Sequence, residues 1–158
     1  VLVINPLARS ATRASGAGDG PEKWSGVALG SDGLLYFAPH CASTVLVMNP
    51  KSESLYWIEG TWDGEGLWDG IALGPDGFLY CAPYNASSVL IIDPVRQSLS
   101  WIMGAGPGKR KWSGIALGAG GCLYCAPHDA AEVLVIDPKA RRLSFLSGAG
   151  DGQQKWSG

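Results

Sequence analysis

The sequence predicts an all-β protein made of repeated four-stranded antiparallel sheets, and three observations carry that reading. Tryptophan stands at Trp24, Trp68, Trp112 and Trp156, always 44 residues apart. The residues between these marks repeat without a gap, and half of the 44 positions in 24–67 recur unchanged in 68–111. The chain holds 23 Gly and 10 Pro beside 46% hydrophobic residues, a mixture suited to many short strands joined by tight turns.

The second repeat, 68–111, supplies each element in order. Residues 70–74 read Gly-Ile-Ala-Leu-Gly, a short apolar strand bounded by glycine. Pro75-Asp76-Gly77 follows as a turn, since proline presets φ and glycine accepts a positive one. Residues 78–82 form a second strand, stopped by Pro83. A third, 89–92, is Val-Leu-Ile-Ile, apolar on both faces and rich in β-branched residues. Asp93-Pro94 opens the next turn, and 98–102 alternates as a fourth strand should. Gly-rich residues 104–108 then lead to the next tryptophan.

Four strands in 44 residues fit one blade of a β-propeller, whose sheets are packed between neighbours and so need strands apolar on both faces. A β-solenoid is the rival, but its coils are shorter and lack this hairpin rhythm. The turns and period-2 runs exclude helical repeats. On this frame, 1–158 is a single partial propeller domain. It comprises a half blade in 1–23, repeats in 24–67, 68–111 and 112–155, and the start of another at 156–158. That makes 14 strands, about three and a half blades. A closed ring takes at least about four. The expectation is therefore a piece of a longer array, or a chain that closes a ring with other copies; Val1 in place of methionine suits the former. The leading half blade is degenerate, with Ser-Ala-Thr-Arg-Ala at 10–14 where 54–58 reads Ser-Leu-Tyr-Trp-Ile.

A net charge of −2 supplies no basic surface and argues against nucleic acid as a partner. Uncharged apolar runs last only a few residues, which argues against membrane insertion. Cys81 and Cys125 fall where the first repeat has Phe37, so each reads as a small buried hydrophobe. Cys122 and Cys125 form a C-x-x-C on an expected strand, where i and i+3 face apart, against a disulfide or zinc pair. Asn85-Ala86-Ser87 is a glycosylation sequon with meaning only in a secreted chain.

Residues 24–155 resemble known propeller repeats. The glycine-bounded first strand, the Asp-Gly turn, the Leu-Tyr pair and the Val-Leu-Val-Ile-Asp-Pro hairpin at 133–138 are similar to NHL, YVTN and gluconolactonase-like repeats. A looser similarity is to tachylectin, a sugar-binding propeller, through Trp68-Asp69-Gly70, Asp76-Gly77 and Leu79-Tyr80 and their counterparts. These resemblances imply a fold more than an activity, because one propeller scaffold hosts many functions.

Candidate site residues come from the columns where the repeat breaks. Loops between second and third strands share a rim with the loops joining blades. That rim carries His40, Tyr84 with Asn85, and His128 with Asp129, and these vary on a fixed frame. Trp62 occurs in one copy only, where the others have Gly18, Gly106 and Gly150, which marks it as a contact residue. The recurring Trp24, Trp68, Trp112 and Trp156 are expected to be structural wedges between blades. No catalytic motif is present. The leading expectation is a non-catalytic scaffold for protein binding or assembly, self-association included. One alternative is a lectin-like propeller taking a glycan on its rim. The other, implied by gluconolactonase-like proteins, is a lactonase or hydrolase with calcium near Asn85 or Asp129; no cofactor is expected otherwise.

Overall fold

The computed structural model describes residues 1–156, and among them are fourteen strands and no helix. β1 (Leu2–Asn5) and β2 (Ser10–Arg13) pair as a two-stranded sheet. The first whole blade is β3 (Trp24–Leu29), β4 (Leu35–Pro39), β5 (Thr44–Met48) and β6 (Leu55–Glu59). The second is β7 (Trp68–Leu73), β8 (Leu79–Pro83), β9 (Ser88–Asp93) and β10 (Ser98–Met103). The third is β11 (Trp112–Leu117), β12 (Leu123–Pro127), β13 (Val133–Asp137) and β14 (Arg142–Leu146). Every pairing is antiparallel between consecutive strands, so the chain is a partial β-propeller.

Two expectations shift at strand ends. Each first strand begins at its tryptophan, because Trp68 pairs with Pro83 across the sheet, and Trp24 and Trp112 pair likewise with Pro39 and Pro127. Proline therefore closes the second strand from inside. Cys122 lies in the turn just before β12 rather than on the strand, and all four cysteines are free. Cys81 and Cys125 are fully buried, as a residue exchanging with phenylalanine should be.

Strand alternation explains the doubly apolar sequence. In β9, Leu90 and Ile92 join Tyr36, Val45, Val47 and Trp68 in a core between the first and second blades. Val89 and Ile91 point the other way and join Trp112, Leu123, Leu134 and Ile136 between the second and third. One strand thus feeds two cores.

The inner strands meet backbone to backbone. A Cβ on Gly70 would sit 2.9 Å from the Gly114 Cα, and one on Gly26 would sit 3.0 Å from the Gly70 Cα. All three glycines have positive φ, at or beside a bulge in β3, β7 and β11. At the opposite end of the first and second blades, tyrosine locks the hairpin turn. The Tyr36 hydroxyl donates to Asp32 (2.8 Å) and the Tyr80 hydroxyl to Asp76 (2.7 Å). In the third blade the aspartate is replaced by Gly120, opposite Tyr124.

Candidate functional site: the variable rim

A belt of main-chain hydrogen bonds holds the rim on which the candidate residues stand. Amide N–H groups donate to carbonyls from His40 to Lys23 (2.9 Å), Leu67 to His40 (2.8 Å) and Tyr84 to Leu67 (3.0 Å). It continues from Lys111 to Tyr84 (2.9 Å), His128 to Lys111 (2.8 Å) and Lys155 to His128 (3.0 Å). Each variable residue both donates to the loop before its blade and accepts from the loop after it. Backbone needs are met without side chains, so the side chains at these positions are free to differ.

His40, Tyr84 and His128 form a row on this belt. Ring centroids lie 5.6 Å apart for His40 and Tyr84, and 5.5 Å apart for Tyr84 and His128. The residues following them behave as loop ties. Asn85 Oδ1 accepts from the Arg110 amide (2.8 Å), while its Nδ2 donates to the Glu65 carbonyl (2.8 Å). Asp129 accepts from the Gln154 amide (2.8 Å), pairs with the Arg110 guanidinium (2.9 Å) and meets His128 Nδ1 (2.9 Å). The Gln154 amide, then Arg110 and His128, hold the Asp129 carboxyl below its usual range. Burial raises the Tyr84 phenol above its ordinary value. A cleft of about 710 Å³ opens beside the row, between His40, Glu65, Tyr84, Asn85, Arg110 and Glu22.

Three of the repeated tryptophans bond to the frame. Indole N–H groups of Trp24, Trp68 and Trp112 donate to the carbonyls of Thr44, Ser88 and Glu132 at 2.8 Å, 2.9 Å and 2.8 Å. Trp68 is fully buried, and Trp156 is half exposed. Trp62 is 37% exposed and its ring lies nearly parallel on Trp101, with centroids 5.8 Å apart and planes at 6°. It also leans on Trp68 at 5.7 Å. Its blade carries Leu67 where the others carry Lys23, Lys111 and Lys155. Those lysines tie their loops through carbonyls: Lys23 to Ala17, Lys111 to Ala86 and Gly108, Lys155 to Ala130 and Gly150. One loop is therefore pinned by stacked rings and the rest by ammonium groups. Burial of the Lys111 ammonium pulls its pKa down to about 8.

Sequence reading passed over three participants. Glu22 stands beside His40 and Cys41, with ligand-type atoms of all three within 4.8 Å of one another. Arg110 ties two blades through Asn85 and Asp129. Asp69 accepts from the Ser25 hydroxyl on one side and the Ser113 hydroxyl (2.7 Å) on the other, joining three first strands. Each occupies a repeat-breaking column (Glu22, Gly66, Arg110, Gln154; Ser25, Asp69, Ser113), so the same column comparison contained the signal.

No protein-family model matches the chain, and no curated protein matches it in sequence. Solved structures match its fold. A streptogramin B lyase aligns over 93% of this chain and 47% of its own length, at 13% identity and a TM-score of 0.77. A virginiamycin B lyase from Staphylococcus aureus aligns over 93% of this chain and 48% of its own, at 17% identity and a TM-score of 0.74. The WD40 repeats of RRP9 align over 81% of this chain and 38% of theirs, at 19% identity and a TM-score of 0.61. The chain thus spans about half the length of the lyases it matches. At these identities the likeness establishes the propeller fold alone.

Proposed function

We propose that this partial propeller is a non-catalytic binding module that meets a protein partner on the rim bearing His40, Tyr84 and His128. The observation that carries the reading is the row of differing rings set on an unvarying main-chain belt. Aromatic rings next to Arg110 offer the composition of an interaction hot spot. Asn85 and Asp129 already spend their oxygens on loop amides and on Arg110, which gives less support to calcium and lactonase chemistry there. Photo-crosslinking tests the reading. A reactive side chain at position 84 is expected to capture a discrete protein. One at exposed Val95, in the turn at the other end of the blade, should capture none. Equal labelling from both positions overturns it.

Assembly is the second part of the proposal. The third blade leaves Leu117, Tyr124, Phe145 and Leu146 between 39% and 52% exposed, an apolar surface of the sort that interior blades bury. Light scattering of the 158-residue chain is expected to give a mass above 16.5 kDa; a strict monomer overturns this part. A sugar-binding reading draws only on the half-exposed ring of Trp62, and a glycan array free of hits from folded protein removes it.

A further inference from the structure

We propose that Glu22, His40 and Cys41 bind a divalent transition-metal ion of the zinc type, with its fourth position open to the rim cleft. The three side chains offer oxygen, nitrogen and sulfur ligand atoms within 4.8 Å of one another. Tetrahedral coordination needs such atoms about 3.3–3.8 Å apart, given metal–ligand bonds of about 2.0–2.3 Å. Glu22 is exposed and His40 and Cys41 are only partly buried, so the side chains have room to draw in around an ion. A mixed carboxylate, imidazole and thiolate set suits a borderline-soft cation and disfavours calcium or magnesium.

An independent observation supports the site: His40 is already oriented as metal-bound histidines are. Its Nδ1–H donates to the Trp68 carbonyl at 2.9 Å. That bond fixes the tautomer and leaves the Nε2 lone pair as the coordinating atom. The acceptor is a main-chain oxygen on the first strand of the next blade, so the imidazole is held by the frame itself.

The other blades show what the same positions do without a metal. In the third blade the column of Glu22 holds Arg110, and that of Cys41 holds Asp129. There a guanidinium supplies the positive charge, bonded to the carboxylate at 2.9 Å with His128 against the same group. In the second blade the positions are Gly66, Tyr84 and Asn85, and the amide side chain caps the following loop. At these three columns the first blade alone holds a carboxylate, an imidazole and a thiol together, and a bound ion supplies the positive charge that Arg110 brings in the third. Binding converts the Cys41 thiol to a metal thiolate and releases its proton to solvent.

Cobalt(II) titration of the full chain under reducing conditions tests the proposal. Wild-type protein is expected to take up one equivalent and to develop a thiolate-to-cobalt charge-transfer band. Cys41→Ser should abolish the band, and His40→Gln should weaken binding by about tenfold or more. Cys122→Ser should change neither. Circular dichroism confirms that each variant keeps its strands. No band in folded wild-type protein, a band surviving Cys41→Ser, or equal loss in Cys122→Ser overturns the assignment.

Discussion

The second and third blades are written in nearly the same residues, yet they live in different surroundings. Tyr80 is fully buried, while Tyr124, in the same column, is 39% exposed. All of β8 and β9 is buried; their counterparts β12 and β13 are buried only in part. The second blade has a neighbour on each face, and the third has one among the described residues. A doubly apolar strand therefore specifies a place inside a stack rather than a degree of burial, and the neighbour decides which of its residues stabilise the fold.

Truncation should split the pair most sharply. Tyr80→Ala removes a ring from the core between the second and third blades, together with its bond to Asp76. It is expected to cost about 3–5 kcal/mol in urea unfolding, against about 1–2 kcal/mol for Tyr124→Ala. Equal losses would mean that Tyr124 is covered in solution, and would favour assembly through that face. Next come the glycines. Gly70→Ala meets the Gly114 backbone and a positive φ at once, so a cost of about 3 kcal/mol is expected. Gly33→Ala has open space around it and should cost only the φ strain, about 1 kcal/mol.

A gain of function sharpens the same contrast. A Cβ at Gly120 meets nothing within 4 Å, and its φ lies outside the positive range. Gly120→Asp should restore the tyrosine lock of the other two blades and stabilise the chain by about 1 kcal/mol, read as a higher urea midpoint. The last contrast is a pH slope. Lys111 has a folded pKa lowered to about 8 by burial, below the ordinary value of about 10.4. Across that interval the unfolded chain binds more protons, so stability should rise with pH from about 8 and level off near 10.4. Lys111→Met should flatten this rise while leaving the rest of the profile unchanged.

The sequence made the blades legible because their cause is local. Alternation in 89–92 and the Pro-Asp-Gly turn act within a few residues, and repetition then copied the inference to every blade. Glu22 escaped notice because it lies 18 positions before His40, and only the chain's return along β3 and β4 brings them together. Asp69 breaks its column in plain sight, but only the fold shows that its two serine partners, each a full repeat away, meet it. The role of Trp62 depended on Leu67 and Trp101, a pairing across one loop and one strand that no single column reveals.

The main-chain belt has one more consequence, for how such a surface changes over generations. The main chain at positions 40, 84 and 128 is anchored through its own amides and carbonyls, so an exchanged side chain leaves these belt bonds in place. Duplicating a blade then adds a blank position to the rim, ready to be rewritten independently of its parent.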